Sequence, residues 1–212
     1  MASLNPFKRS PLFEIRSWLS CLYRIGGKVV FLLDPRAQDV VHTYLEAVDA
    51  EAPGLVEGLY LHGSVALGDF HLPASDIDFV AVVAAHLDAS STAALVRAHQ
   101  RLRRRWPRPF FAGPYVTWGD LAQAPDLVQP EPYAHRGRFF GCGRFEINPI
   151  TWHTLVDVGV VCRGPSLTEV SIWTDPVHLK SWTRQNLMDY WRPWHDRYQR
   201  LLSVARLAGL TY

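Results

Sequence analysis

Residues 76–83 read Asp-Ile-Asp-Phe-Val-Ala-Val-Val, and no other stretch limits the possible folds of this chain as strongly. Side chains alternate along a strand, so Asp76 and Asp78 share one face while Ile77 and Phe79 share the other. Two carboxylates side by side on an otherwise apolar strand repel each other and lose hydration unless a cation or a proton sits between them. A divalent metal that prefers oxygen, most simply Mg²⁺, resolves both problems and brings a nucleotide phosphate with it. Upstream, Leu59, Tyr60 and Leu61 form a short apolar strand that runs into Gly63-Ser64. The turn residues Leu72-Pro73-Ala74-Ser75 lead into the Asp-x-Asp strand.

Gly63 and Ser64 supply the other half of such a site. Glycine lets the backbone approach a phosphate closely, and serine adds a hydroxyl and an N–H where the chain turns into a short helix. A hydrophobic strand, Gly63-Ser64, a spacer containing Gly68-Asp69, and then Asp76-Ile77-Asp78-Phe79 resembles the signature of the nucleotidyltransferase superfamily that includes DNA polymerase β. Within it, the wording Leu-Tyr-Leu-His-Gly-Ser, Gly-Asp-Phe and Ser-Asp-Ile-Asp-Phe-Val is most similar to the aminoglycoside adenylyltransferases. Weaker likenesses run through residues 148–153 and 162–165, so the resemblance spans roughly residues 36–205. It implies an α/β fold, a mixed sheet with flanking helices, followed by a helical C-terminal region shorter than in those enzymes. It also implies transfer of AMP from ATP to a hydroxyl, with Gly63 and Ser64 holding the triphosphate and Asp76 and Asp78 holding Mg²⁺.

With 212 residues, the chain can bury one substantial core, or one core and a small partner domain. No apolar run is long enough to span a bilayer, and a net charge of +2 is too small to argue for nucleic acid. Cys21, Cys142 and Cys162 are far apart and odd in number, which fits a reducing cytoplasm rather than a disulfide framework or zinc site. Basic residues interrupt the apolar stretches of the first 34 residues, so these are read as a non-catalytic extension rather than a signal peptide.

Three domains are expected: the extension at 1–34, the nucleotidyltransferase domain at 35–163, and a helical region at 164–212. Asp34-Pro35 is a helix start, with Val40, Val41, Tyr44, Leu45 and Val48 at helical spacing and Pro53-Gly54 as the stop. Ser90-Ser91 opens a second helix, whose end is crowded by Arg101, Arg103, Arg104, Arg105 and Arg108. These arginines suit either a solvated helix end, favoured by the dipole, or a clamp on triphosphate. Tyr115-Val116-Thr117-Trp118 reads as a strand, and residues 122–143 as a loop without periodicity. Arg144-Phe145-Glu146-Ile147 reads as the next strand, with Asn148-Pro149 as a break and Gly164-Pro165 as a boundary. Asp175-Pro176 starts an aromatic-rich helix that Pro193 bends.

The resemblance further implies a third acid on the strand at 109–118, acting as base on the acceptor hydroxyl or completing the metal site, but Phe110, Phe111 and Ala112 stand there instead. The substitutes are Asp120 at the strand end and Glu146, which is favoured because Phe145 and Ile147 would bury it and raise its pKa. His62 and His153 read as structural. The resemblance therefore implies adenylyl transfer to a small, hydroxylated, cationic acceptor, an aminoglycoside foremost, and neither a nucleic-acid nor a membrane partner is expected. A catalytically degenerate regulatory or antitoxin-like module is the alternative. A polymerase or tRNA-modifying role is disfavoured by the charge.

Overall fold

A computed structural model describes residues 33–207, with side chains to residue 201. The expected extension therefore lies almost entirely outside the described residues. The first helix, α1 (Pro35–Glu51), starts as its sequence dictates: the Asp34 carboxylate accepts from the Arg36 N–H at 2.9 Å, and proline occupies the first turn. Then follow β1 (Gly58–His62), the short helix α2 (Gly63–Leu67), β2 (Ile77–Val83), α3 (Ala89–Arg105), β3 (Phe111–Thr117) and α4 (Trp118–Leu121). The cap of α3 is Asp88 rather than a serine; its carboxylate accepts from the Ser91 N–H at 2.7 Å, and Ser90 donates to the same carboxylate.

With β4 (Glu131–His135), β5 (Arg138–Gly143) and β6 (Val160–Arg163), the six strands lie in the order β5-β4-β3-β2-β1-β6. β2 and β3 are parallel and the other neighbouring pairs are antiparallel, which makes the mixed α/β sheet that was expected. Alternation sorts the side chains into two cores. Leu59, Leu61, Ile77, Phe79, Ala81, Phe111 and Tyr115 pack under α1 and α3 with Val40, Tyr44, Leu95 and Leu102. Tyr60, Val80, Val82 and Val116 face the other way, onto Trp152 and Leu155. The first core contains a buried polar chain: Tyr115 Oη lies 2.6 Å from Tyr44 Oη and 2.7 Å from His99 Nε2. Burial without a charged partner pushes His99 down to about 3, so it stays neutral.

Three local expectations are corrected. Residues 122–143 are not a loop: β4 (Glu131–His135) and β5 (Arg138–Gly143) form a hairpin closed by Arg136 and Gly137, both at positive φ. Arg144 to Ile147 is a turn, not a strand. Arg144 donates from its guanidinium to the Val128 and Pro125 carbonyls, which holds this turn against the preceding connection. Asn148-Pro149 does not break the chain but caps and begins α5 (Pro149–Val158), with the Asn148 side chain accepting from the Thr151 N–H at 3.1 Å. β6 (Val160–Arg163) then joins the edge beside β1, and Arg163 forms a two-pronged ion pair with Asp49 of α1.

The chain divides into two compact units after Trp173. The boundary read at Gly164 sits earlier than this division, because Leu167, Val170, Ile172 and Trp173 pack on the second core and the Trp173 N–H donates to the Leu121 carbonyl. The second unit holds α6 (Pro176–Asn186), a wide turn of helix at Leu187–Trp191, and α7 (Arg192–Leu207). Among the described residues, no helix is long and apolar enough to cross a membrane.

Candidate active site

Asp78 lies on the face of β2 that carries Val80 and Val82, next to the edge where the strand begins. Its neighbours across the sheet are fixed by register: His62 on β1 to one side and Ala112 on β3 to the other. Asp76 precedes the strand on the same face. Gly63 follows His62 directly, and its backbone has φ +65°, a conformation that glycine adopts freely. A Cβ there would stand 2.2 Å from Asp78 Oδ2. The glycine therefore makes room for this carboxylate itself, as well as allowing the turn into α2. The Ser64 hydroxyl sits half-buried beside it and forms no hydrogen bond among the described residues.

Glu146 arrives from elsewhere in the chain. It sits at φ +56° in the turn before α5, and its Oε2 accepts from the Thr151 hydroxyl at 3.0 Å. This places its charge close enough to act on Asp78, His62 and His135 together. Burial, the Glu146 charge and the Asp76 charge push the Asp78 carboxyl up to about 7. The two histidines go the other way. Burial lowers His62, against the pull of Glu146 and a backbone hydrogen bond with Phe79. Burial and Arg136 lower His135, against Asp76 and Glu146. Three carboxylates thus converge with one charge suppressed, and several polar atoms have no hydrogen-bond partner: His62 Nε2, His135 Nδ1 and Asp76 Oδ1. Arg108 Nη1 comes within 3.6 Å of Asp76 Oδ1, an ion pair beyond hydrogen-bond length, while its guanidinium lies 3.8 Å over the Phe110 ring.

The family model for a nucleotidyltransferase domain matches residues 41–114, which include Gly63, Ser64, Asp76 and Asp78. The chain carries a nucleotidyltransferase domain. No curated protein matches the sequence. Among solved structures, the chain is similar to spectinomycin adenyltransferase AAD(9) from Enterococcus faecialis, solved with ATP and spectinomycin. The identity is 16%, the match covers 76% of this chain and 68% of that one, and the TM-score is 0.51. That likeness is one of fold. A toxin-antitoxin structure with AMP-PNP matches at 15% identity over 77% of this chain and 97% of that one, with a TM-score of 0.32.

The remaining candidates separate cleanly. Asp120 belongs to the opposite end of the nucleotidyltransferase domain's sheet, beyond Thr117, which pairs with Val83. The strand from Asp78 to Val83 alone spans about 17 Å at roughly 3.3 Å per residue, so Asp120 cannot serve a reaction at Asp78. Of the arginine cluster, Arg101 pairs with Glu51 at 2.6 Å, Arg103 donates to the Gly137 carbonyl, and Arg105 lies over Trp106, whereas Arg108 reaches Asp76. His135 carries no sequence signal of its own. It reaches the cluster because β4 pairs antiparallel with β3, Ala134 opposite Gly113, one position along from the Ala112 that pairs with Asp78.

Proposed function

We propose that this protein transfers AMP from ATP to a hydroxyl of a small, cationic molecule, an aminoglycoside being the leading class. The observation that carries the reading is the convergence of Asp76, Asp78 and Glu146 beside Gly63-Ser64 within a nucleotidyltransferase domain. A divalent ion fits this donor set, because burial and the repulsion of Glu146 and Asp76 raise the Asp78 carboxyl to about 7, a cost that a bound cation relieves, and Asp76 Oδ1 is buried without a hydrogen bond. Asp76 and Asp78 would hold Mg²⁺, which when bound supplies charge neutralisation at the triphosphate. Ser64 offers its hydroxyl to a phosphate oxygen. Arg108, already over the Phe110 ring beside Asp76, is placed to meet departing pyrophosphate with a cation. The acceptor oxygen forms the new bond to the α-phosphorus as the bond to pyrophosphate breaks. Glu146, held by Thr151, takes the acceptor's proton. A solved relative of similar fold, bound to ATP and spectinomycin, supports the choice of acceptor class.

The test is incubation with ATP, Mg²⁺ and a panel of aminoglycosides, followed by mass spectrometry for the gain of one adenylyl group. A second reading, a nucleotide-binding module without turnover, is favoured by one observation: Ala112 occupies the register position beside Asp78 where an acid on the neighbouring strand would stand. ATP binding with no adenylylated product from any acceptor would select it.

A further inference from the structure

The far end of the central strands gathers a second set of chemistry-bearing side chains that nucleotidyl transfer leaves unused. His86 lies in the connection after β2, Asp120 in α4 directly after β3, and Glu131 at the start of β4. One nitrogen or oxygen from each lies within 4.8 Å of the other two, and His86 Nδ1 stands 2.8 Å from Glu131 Oε1. The two acids are 4% and 5% exposed, and among the described residues no lysine or arginine pairs with either. The His86 side chain, in contrast, is 64% exposed. Asp120 is held in place: its Oδ2 accepts from the Thr117 N–H and hydroxyl, and its Oδ1 accepts from Gln123. Such outer bonds orient a ligand before an ion arrives.

We propose that His86, Asp120 and Glu131 form a binding site for a divalent cation of the zinc class, separate from the Asp76–Asp78 site. The donor set decides the class. Magnesium and calcium take oxygen ligands, whereas one imidazole nitrogen with two carboxylates suits zinc. Zinc ligands at bonds of about 2.1 Å stand roughly 3.4 Å apart. His86 Nδ1 has to withdraw from its 2.8 Å contact with Glu131 Oε1, and its exposed side chain is free to do so and leaves an open side for water. The bound ion offsets two buried negative charges and ties together the β2–α3 connection, α4 and β4. Its role is therefore to brace this end of the sheet.

Zinc titration of the full chain, read by competition with a chromophoric chelator and by thermal melting, tests the assignment. One equivalent should bind and raise Tm both in the wild type and in the Asp76→Asn/Asp78→Asn background, which keeps this result independent of the nucleotidyl site. His86→Ala, a change at an exposed side chain that folding tolerates, should weaken binding at least ~tenfold and abolish the Tm gain. Glu131→Gln should do the same. Co²⁺ in place of zinc should give visible absorption bands that His86→Ala removes. Zinc affinity unchanged in His86→Ala overturns the proposal, as does the absence of saturable binding by micromolar zinc in the wild type. Uptake of Mg²⁺ in preference to zinc at this cluster overturns the zinc assignment.

Discussion

Asp78 carries an unusual electrostatic load for a single residue. Its carboxyl faces Asp76 and Glu146, has neutral His62 across the strand, and touches the Cα side of Gly63; Arg108 reaches only Asp76. A carboxyl raised to about 7 binds its proton more tightly folded than unfolded. That contribution to stability is fully present below the ordinary carboxylate range and is lost as pH rises through about 7. At about 1.4 kcal/mol per pKa unit the loss is bounded by roughly 4 kcal/mol. In metal-free protein, Asp78→Asn should therefore melt above wild type at pH 8, with the gain vanishing near pH 4. His62 acts in the opposite sense, since its lowered value costs stability as pH falls below its ordinary range, so the difference between the two proteins is the quantity to read. The same substitution should abolish adenylyl transfer. Gly63→Ala should cost about 1–2 kcal/mol from its positive φ and also push the Asp78 carboxylate aside, which a lower denaturant midpoint and lost ATP turnover would reveal. Gly63, Ser64, Asp76 and Asp78 were legible in the sequence because a local motif fixes them. Glu146 was legible only as an acid with apolar neighbours; its place in a turn was not. His135 was not legible at all, because a tertiary fold-back brings it in.

At the scale of elements, α5 links stability to the site. Asn148 caps it, Trp152 and Leu155 bury its inner face, and Thr151 in its first turn holds Glu146. Asn148→Ala should cost about 1 kcal/mol by denaturant titration, the usual value of a lost cap. It should also lower kcat more than ATP affinity, because Glu146 loses its fixed position; equal kcat would separate the cap from the chemistry. The same residues show why the sequence misled. Asn-Pro marks a turn as readily as a capped helix start, and only burial of Trp152 and Leu155 decides between them. The β4–β5 hairpin was hidden for a related reason. Pro132, Gly141 and Gly143 read as loop residues, yet β4 pairs with β3 on one side and β5 on the other, and those ladders override the local preference.

For the whole molecule, every core residue among the described residues lies within 33–173, and none of the described side chains after Trp173 is buried. A chain ending at Trp173 should therefore unfold cooperatively, with a midpoint close to that of the full protein by circular dichroism. Loss of cooperativity would show that the helical unit contributes to the cores. The strand alternation that sorted side chains into those cores also dictates where the chain tolerates insertions and deletions. Residues 67–74 are almost all exposed, and their number can change while β2 keeps its partners. A single-residue deletion between Asp78 and Val83 has no such freedom. It would turn both aspartates into the apolar layer beneath α1 and α3 and expel Ile77 and Phe79 from it. Length variation in this protein should accordingly collect in the connection before β2 and be purged from the strand itself.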